Sequence, residues 1–122
     1  MKIYKTVAAS GAALFALLLA SIAWGHATAQ TSNPENGAVL DQSPTELVIQ
    51  FGGAAKLVSL TISTPGNEPV NVDISSATSV DGRVSVAIEP LAPDSYTVSW
   101  RAMGLDGHVT SGKFDFSISA RD

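Results

Sequence analysis

The sequence predicts an all-β protein, a seven-stranded Greek-key β-sandwich of about 100 residues. Three observations carry this. Apolar side chains recur at every second position through almost the whole chain after residue 26. Turn-forming clusters separate the alternating runs at short, even intervals. No window shows an apolar stripe at helical spacing.

Taken in order, the chain opens on a segment that reads as an export signal rather than as part of the fold. Lys2 and Lys5 precede an apolar run from Val7 to Trp24, and the small residues Ala23 and Gly25 suit cleavage before His26. Residues 1–25 are therefore expected to be a signal peptide and residues 26–122 a single domain. A second small pair, Ala27 and Ala29, would permit cleavage before Gln30 instead. A first strand is expected near Thr28–Ser32. In Glu46–Phe51, Leu47, Ile49 and Phe51 alternate with Glu46, Val48 and Gln50. The same alternation places Val58, Leu60 and Ile62 on one inward face, then Val70, Val72 and Ile74, then Val84, Val86 and Ile88. It is strongest in Tyr96, Val98, Trp100 and Ala102, and it closes with Phe114, Phe116 and Ile118. Such alternation means strands with one dry and one wet face. Between them lie Thr64-Pro65-Gly66-Asn67, Val80-Asp81-Gly82, Ala92-Pro93-Asp94-Ser95 and Leu105-Asp106-Gly107-His108, all rich in turn formers. A closed barrel of similar strand count is the competing arrangement. Tyr96 and Trp100 share an inward face and read as core anchors. Pro93-Asp94-Ser95-Tyr96 resembles the tyrosine corner of sandwiches, in which the phenol ties back to a nearby backbone group.

Composition excludes several function classes. The chain has no cysteine, so disulfides, thiolate metal sites and cysteine nucleophiles are ruled out. After residue 25, five Lys and Arg face eleven Asp and Glu. A chain this acidic lacks the footprint of a nucleic-acid binder and is repelled by anionic lipid. Phosphate-cradling glycine motifs and nucleophile elbows are both absent.

The two histidines stand where metal chemistry is reasonable. His26, as the first residue of an exported chain, offers an α-amine and an imidazole that close a chelate ring. Asp106 and His108 are separated by Gly107 alone, and residues two apart in extended backbone point the same way. Three nitrogens and a carboxylate oxygen form a tetragonal set that suits copper(II), with zinc second because of its tetrahedral preference. The α-amine, ordinarily titrating at about 7.7–8.0, must lose its proton to bind. Asp-Gly is also a common hairpin turn, so Asp106-Gly107-His108 alone does not decide between turn and ligand pair.

These residues resemble the CopC family of periplasmic copper-resistance proteins. His26-Ala27, Ser32-Asn33-Pro34 and Gly37-Ala38 are similar to the mature N-terminus of that family. Tyr96-Thr97-Val98-Ser99-Trp100-Arg101, Asp106-Gly107-His108, Gly112, Phe114 and Phe116 resemble its second half. The resemblance implies a cupredoxin-like sandwich carrying copper(II) on His26, Asp106 and His108 in the periplasm. It also implies an inner-membrane copper importer of the CopD type as partner. The chain is expected to be a monomer. Some members add a glutamate shortly after the Phe51 position; this chain has Gly52-Gly53-Ala54 there. A single methionine after the export segment, Met103, argues against a copper(I) site. Counting back from Pro34 favours cleavage before His26. Two other readings stay open: a copper histidine-brace enzyme and a metal-free immunoglobulin-like structural module.

Overall fold

A computed structural model describes residues 28–120 of the chain. Among them, nine strands form two sheets: β1 (Ala29–Asn33), β2 (Ala38–Leu40), β3 (Glu46–Phe51), β4 (Ala55–Ser63), β5 (Val70–Asn71), β6 (Thr78–Val80), β7 (Arg83–Ala87), β8 (Asp94–Gly104) and β9 (Val109–Ile118). One sheet runs β1-β3-β7-β6, the other β2-β9-β8-β4-β5. All pairings are antiparallel except β2 with β9. β4 and β8 are neighbours although three strands intervene in sequence, which is the long return of a Greek key. No ladder joins the two sheets among the described residues, so the architecture is a sandwich and not a closed barrel.

The alternating residues build the interior. Leu47, Ile49, Phe51, Leu60, Ile62, Val84, Val86, Tyr96, Val98, Trp100, Ala102, Phe114, Phe116 and Ile118 are all buried in one cluster. Phe51 from one sheet meets Trp100 from the other edge to face, with centroids 5.1 Å apart, and Tyr96 stacks on Phe116 at 5.5 Å. Such pairs add to the burial of aromatic area. The Tyr96 hydroxyl donates to the carbonyl of Ala92, as the tyrosine-corner pattern predicts. Burial, and secondarily the Asp94 carboxylate, push the Tyr96 phenol above its ordinary value.

Trp100 dictates its partner across the ladder. It pairs with Gly112, and a Cβ built on Gly112 would lie 2.5 Å from Trp100 Cζ2 and 2.8 Å from Cε2. The indole therefore lies over the one position of β9 that has no side chain.

The structure corrects the sequence reading in four places. Leu57, not Val58, points inward: a bulge between Leu57 and Ser59 shifts the phase of β4 and leaves Val58 at the surface. The run Val70–Ile74 is a strand only at Val70–Asn71, and Val72 and Ile74 pack on the core from irregular backbone. Val48 is buried although its neighbours Leu47 and Ile49 take the core face. The count is nine rather than seven because β2 and β6, three residues each, are too short to show a period.

Candidate metal centre

Asp106 and His108 sit at the tip of the hairpin that joins β8 to β9. The Gly107 amide donates to the Gly104 carbonyl at 3.1 Å, and the Gly104 amide donates to the His108 carbonyl at 3.1 Å. Gly107 has φ +82°. This is a three-residue loop, Leu105-Asp106-Gly107, closed by a glycine in the left-handed region where an L side chain is strained. The two side chains therefore meet through a turn, not through extended backbone as the spacing suggested. One carboxylate oxygen of Asp106, Oδ1, accepts from the His108 amide at 3.0 Å. The other, Oδ2, lies 2.9 Å from His108 Nδ1. Asp106 thus holds the backbone and the ring of His108 at once. The imidazole remains open to solvent, with 72% of its side chain exposed against 24% for Asp106.

The sandwich brings the start of the described chain to the same end. Ala55 at the start of β4 pairs with Gly104 at the end of β8, directly below the hairpin tip. The short link from Phe51 to Ala55 lies at that pole. The Gly52 amide donates to the Thr28 carbonyl at 2.9 Å, and Ala29 pairs with Phe51. Thr28 and the Asp106–His108 pair therefore share one pole. An open cleft of about 700 Å³ runs between β1 and the first half of β9, lined at one side by Thr28–Ser32 and at the other by Thr110–Phe114. β2 covers β9 only from Phe116 onward, which leaves this mouth uncovered.

His26 lies outside the described residues. Among the described residues no three His, Asp or Glu side chains gather into a metal site, so the hairpin contributes two candidate donors there. Gly52, Gly53 and Ala54 occupy the pole without a carboxylate. Met103 is half-buried on the outer face of β8. Two features of the pole escaped the sequence. Leu105, 82% exposed beside Asp106, follows from the loop geometry, which turns it away from the core. Thr110, lining the cleft two residues after His108, gave no signal beyond its place after the turn.

The CopC domain family model matches residues 29–119, most of the described structure. The chain belongs to the CopC family. It is 26% identical over 99 residues to the protein YobA of Escherichia coli strain K12, covering 78% of this chain and 80% of that one. Among solved structures, it is similar to CopC from Methylosinus trichosporium OB3b, with TM-score 0.70 and 22% identity over 80% of this chain and 97% of that one. PcoC from Escherichia coli, a methionine-rich copper-resistance protein, matches with TM-score 0.60 and 21% identity over 77% and 99%. These two likenesses show the fold. CopC proteins are periplasmic copper-resistance proteins, not enzymes, so the function of this chain is copper-related and the enzyme reading is set aside.

Proposed function

We propose that this chain is a monomeric periplasmic copper(II) carrier, whose site consists of His26, Asp106 and His108. Residues 1–25 act as the export signal, and its removal frees the His26 α-amine. That amine and the His26 ring, the His108 ring and the Asp106 carboxylate supply three nitrogens and one oxygen, a set suited to tetragonal copper(II). The carrier receives copper and passes it to an inner-membrane importer of the CopD type.

The observation that carries this reading is the convergence of Asp106 and His108, at 2.9 Å, on the pole where Thr28 begins the described chain. Only Ala27 separates His26 from Thr28, a short reach at about 3.3–3.6 Å per residue step. The hairpin also supports the chemistry. The Asp106–His108 contact fixes the ring before metal arrives, so little side-chain freedom remains to be lost. The ion displaces the hydrogen bond as it takes both groups, and the exposed ring edge leaves it an open approach.

Titration of the exported protein with copper(II), followed by electron paramagnetic resonance, tests this. A tight site of one ion per chain, with nitrogen hyperfine structure, is expected, and affinity should fall as the pH drops below about 8, where the α-amine takes up its proton. Bound copper should also raise the thermal midpoint, because a ligand that binds only the folded state stabilises it. A spectrum without nitrogen coupling, or a midpoint indifferent to copper, contradicts the proposal and favours a metal-free module.

A further inference from the structure

The outer face of the five-stranded sheet is not uniform. The Lys and Arg residues among the described part of the chain are Lys56, Arg83, Arg101 and Lys113. Three of these four project from this one face. Lys56 lies between the inward Ala55 and Leu57, Arg101 between the inward Trp100 and Ala102, and Lys113 next to the inward Phe114. Register brings them together. Lys56 pairs with Met103, which pairs with Val109; Arg101 pairs with Ser111, and Lys113 with Ser99. None of the three cations is ion-paired among the described residues. This is unusual for a chain of net charge −4, in which acids outnumber them.

Apolar groups lie among the charges. Val58, turned outward by the bulge, is 38% exposed, and Val109 is 42% exposed. A shallow groove of about 460 Å³ between β4, β8 and β9 is lined by Arg101, Lys113 and serine hydroxyls, with no carboxylate. An acid on this face, Asp115, lies two rows beyond Lys113 and accepts a hydrogen bond from Thr97 Oγ1 at 2.8 Å. The cationic part is the half nearer the hairpin tip. The Arg101–Ser111 row is three rows from the Gly104–His108 closure, about 10 Å along the strands.

We propose that Lys56, Val58, Arg101, Met103, Val109 and Lys113 form the docking face for an acidic, apolar-bearing segment of a partner protein. Charge complementarity selects the occupant: three clustered cations, not ion-paired among the described residues, attract an anionic surface on an otherwise acidic molecule and orient it toward this pole. The valines and Met103 favour a protein over a lipid headgroup layer. Recognition of anionic lipid by charge takes clusters of 4–8 Lys and Arg, and the net negative charge of the chain opposes it. The proposal does not require the copper ligands to be as assigned above, since it stands on the metal-free face. If that assignment is right, docking here leaves the hairpin tip beside the partner.

The test uses the metal-free protein and a synthetic peptide of alternating Glu and Leu, followed by ¹H–¹⁵N correlation spectra. The peptide should shift the amides of Lys56, Val58, Arg101, Met103 and Lys113, and added salt should weaken binding. The double variant Arg101→Glu, Lys113→Glu should bind roughly tenfold more weakly, as expected for reversal of two exposed charges. Arg83→Glu, on the other sheet, should change nothing. Arg101→Gln carries the same test in smaller measure should the double variant not fold. Copper titration of the same variants should be unaltered, which separates this proposal from the assignment of the ligands. Shifts that are absent, that centre on Arg83, or that survive the double reversal overturn it. Phosphatidylglycerol vesicles producing the shifts where the peptide does not would overturn it in favour of a membrane surface.

Discussion

β8 and β9 make one hairpin with two very different halves. In its middle, Trp100 is buried against Phe51 and over Gly112, so close that a methyl group on Gly112 has no room. At its tip, Asp106 and His108 meet in a solvent-open turn, with most of the imidazole exposed. The middle holds the two sheets together, whereas Leu105, Asp106, Gly107 and His108 at the tip are all exposed and outside the core cluster. Under the proposed assignment, ligands could change at the tip without changing the fold, because the buried packing and the Asp106–His108 pair lie in different rows of the same ladder.

Substitutions can break that division, beginning with the largest expected effect. Trp100→Ala should cost about 3–5 kcal/mol in urea unfolding, the range for emptying a buried aromatic site. Gly112→Ala should cost about 1–3 kcal/mol through overpacking against the indole, and near-ultraviolet circular dichroism should report the displaced ring. Gly107→Ala places a side chain at φ +82° and should cost about 1 kcal/mol. It should also weaken copper binding, because the turn sets the Asp106–His108 contact. Tyr96→Phe should cost about 1 kcal/mol by removing the bond to Ala92. The phenol titrates higher in the folded than in the unfolded chain. Its contribution is therefore fully present below pH about 10 and is lost as pH rises through the folded value. Alkaline titration of stability should show that loss in the parent and not in Tyr96→Phe. The smallest effect on folding belongs to His108→Ala, within about 0.5 kcal/mol of the parent, since the residue is exposed. Loss of the tight copper site in that same variant would sharpen the contrast. A large loss of stability instead would show that the tip is structural.

The sequence made the core legible because burial acts through strict periodicity. Glu46–Phe51 is β3 residue for residue, and Tyr96, Val98, Trp100 and Ala102 all face inward as their alternation requires. The failures lie where periodicity is interrupted. The bulge at Leu57 exchanges the roles of Leu57 and Val58, and a bulge is set by pairing with β8, which no local window contains. β2 is held by parallel pairing with a strand more than 70 residues away, so its three residues carry no pattern of their own. At the candidate site, the residue types were legible and their means of meeting was not. The i, i+2 argument assumed extended backbone, while Asp106 in fact reaches His108 by accepting its amide across a left-handed glycine. Arg101 joins the proposed docking face only because the register sets it beside Lys113 and near the tip, which no local window of the sequence contains.

The reading of the pole turns on the first residue. Copper(II) titration with electron paramagnetic resonance should compare the protein beginning at His26 with one carrying a single extra alanine before His26. The fold and the Asp106–His108 hairpin are the same in both, and only the free α-amine of His26 differs. Tight binding and the full nitrogen hyperfine pattern are expected in the first, with affinity reduced by at least about tenfold and a changed spectrum in the second. Identical affinities and spectra would contradict a site that uses the His26 amine together with Asp106 and His108.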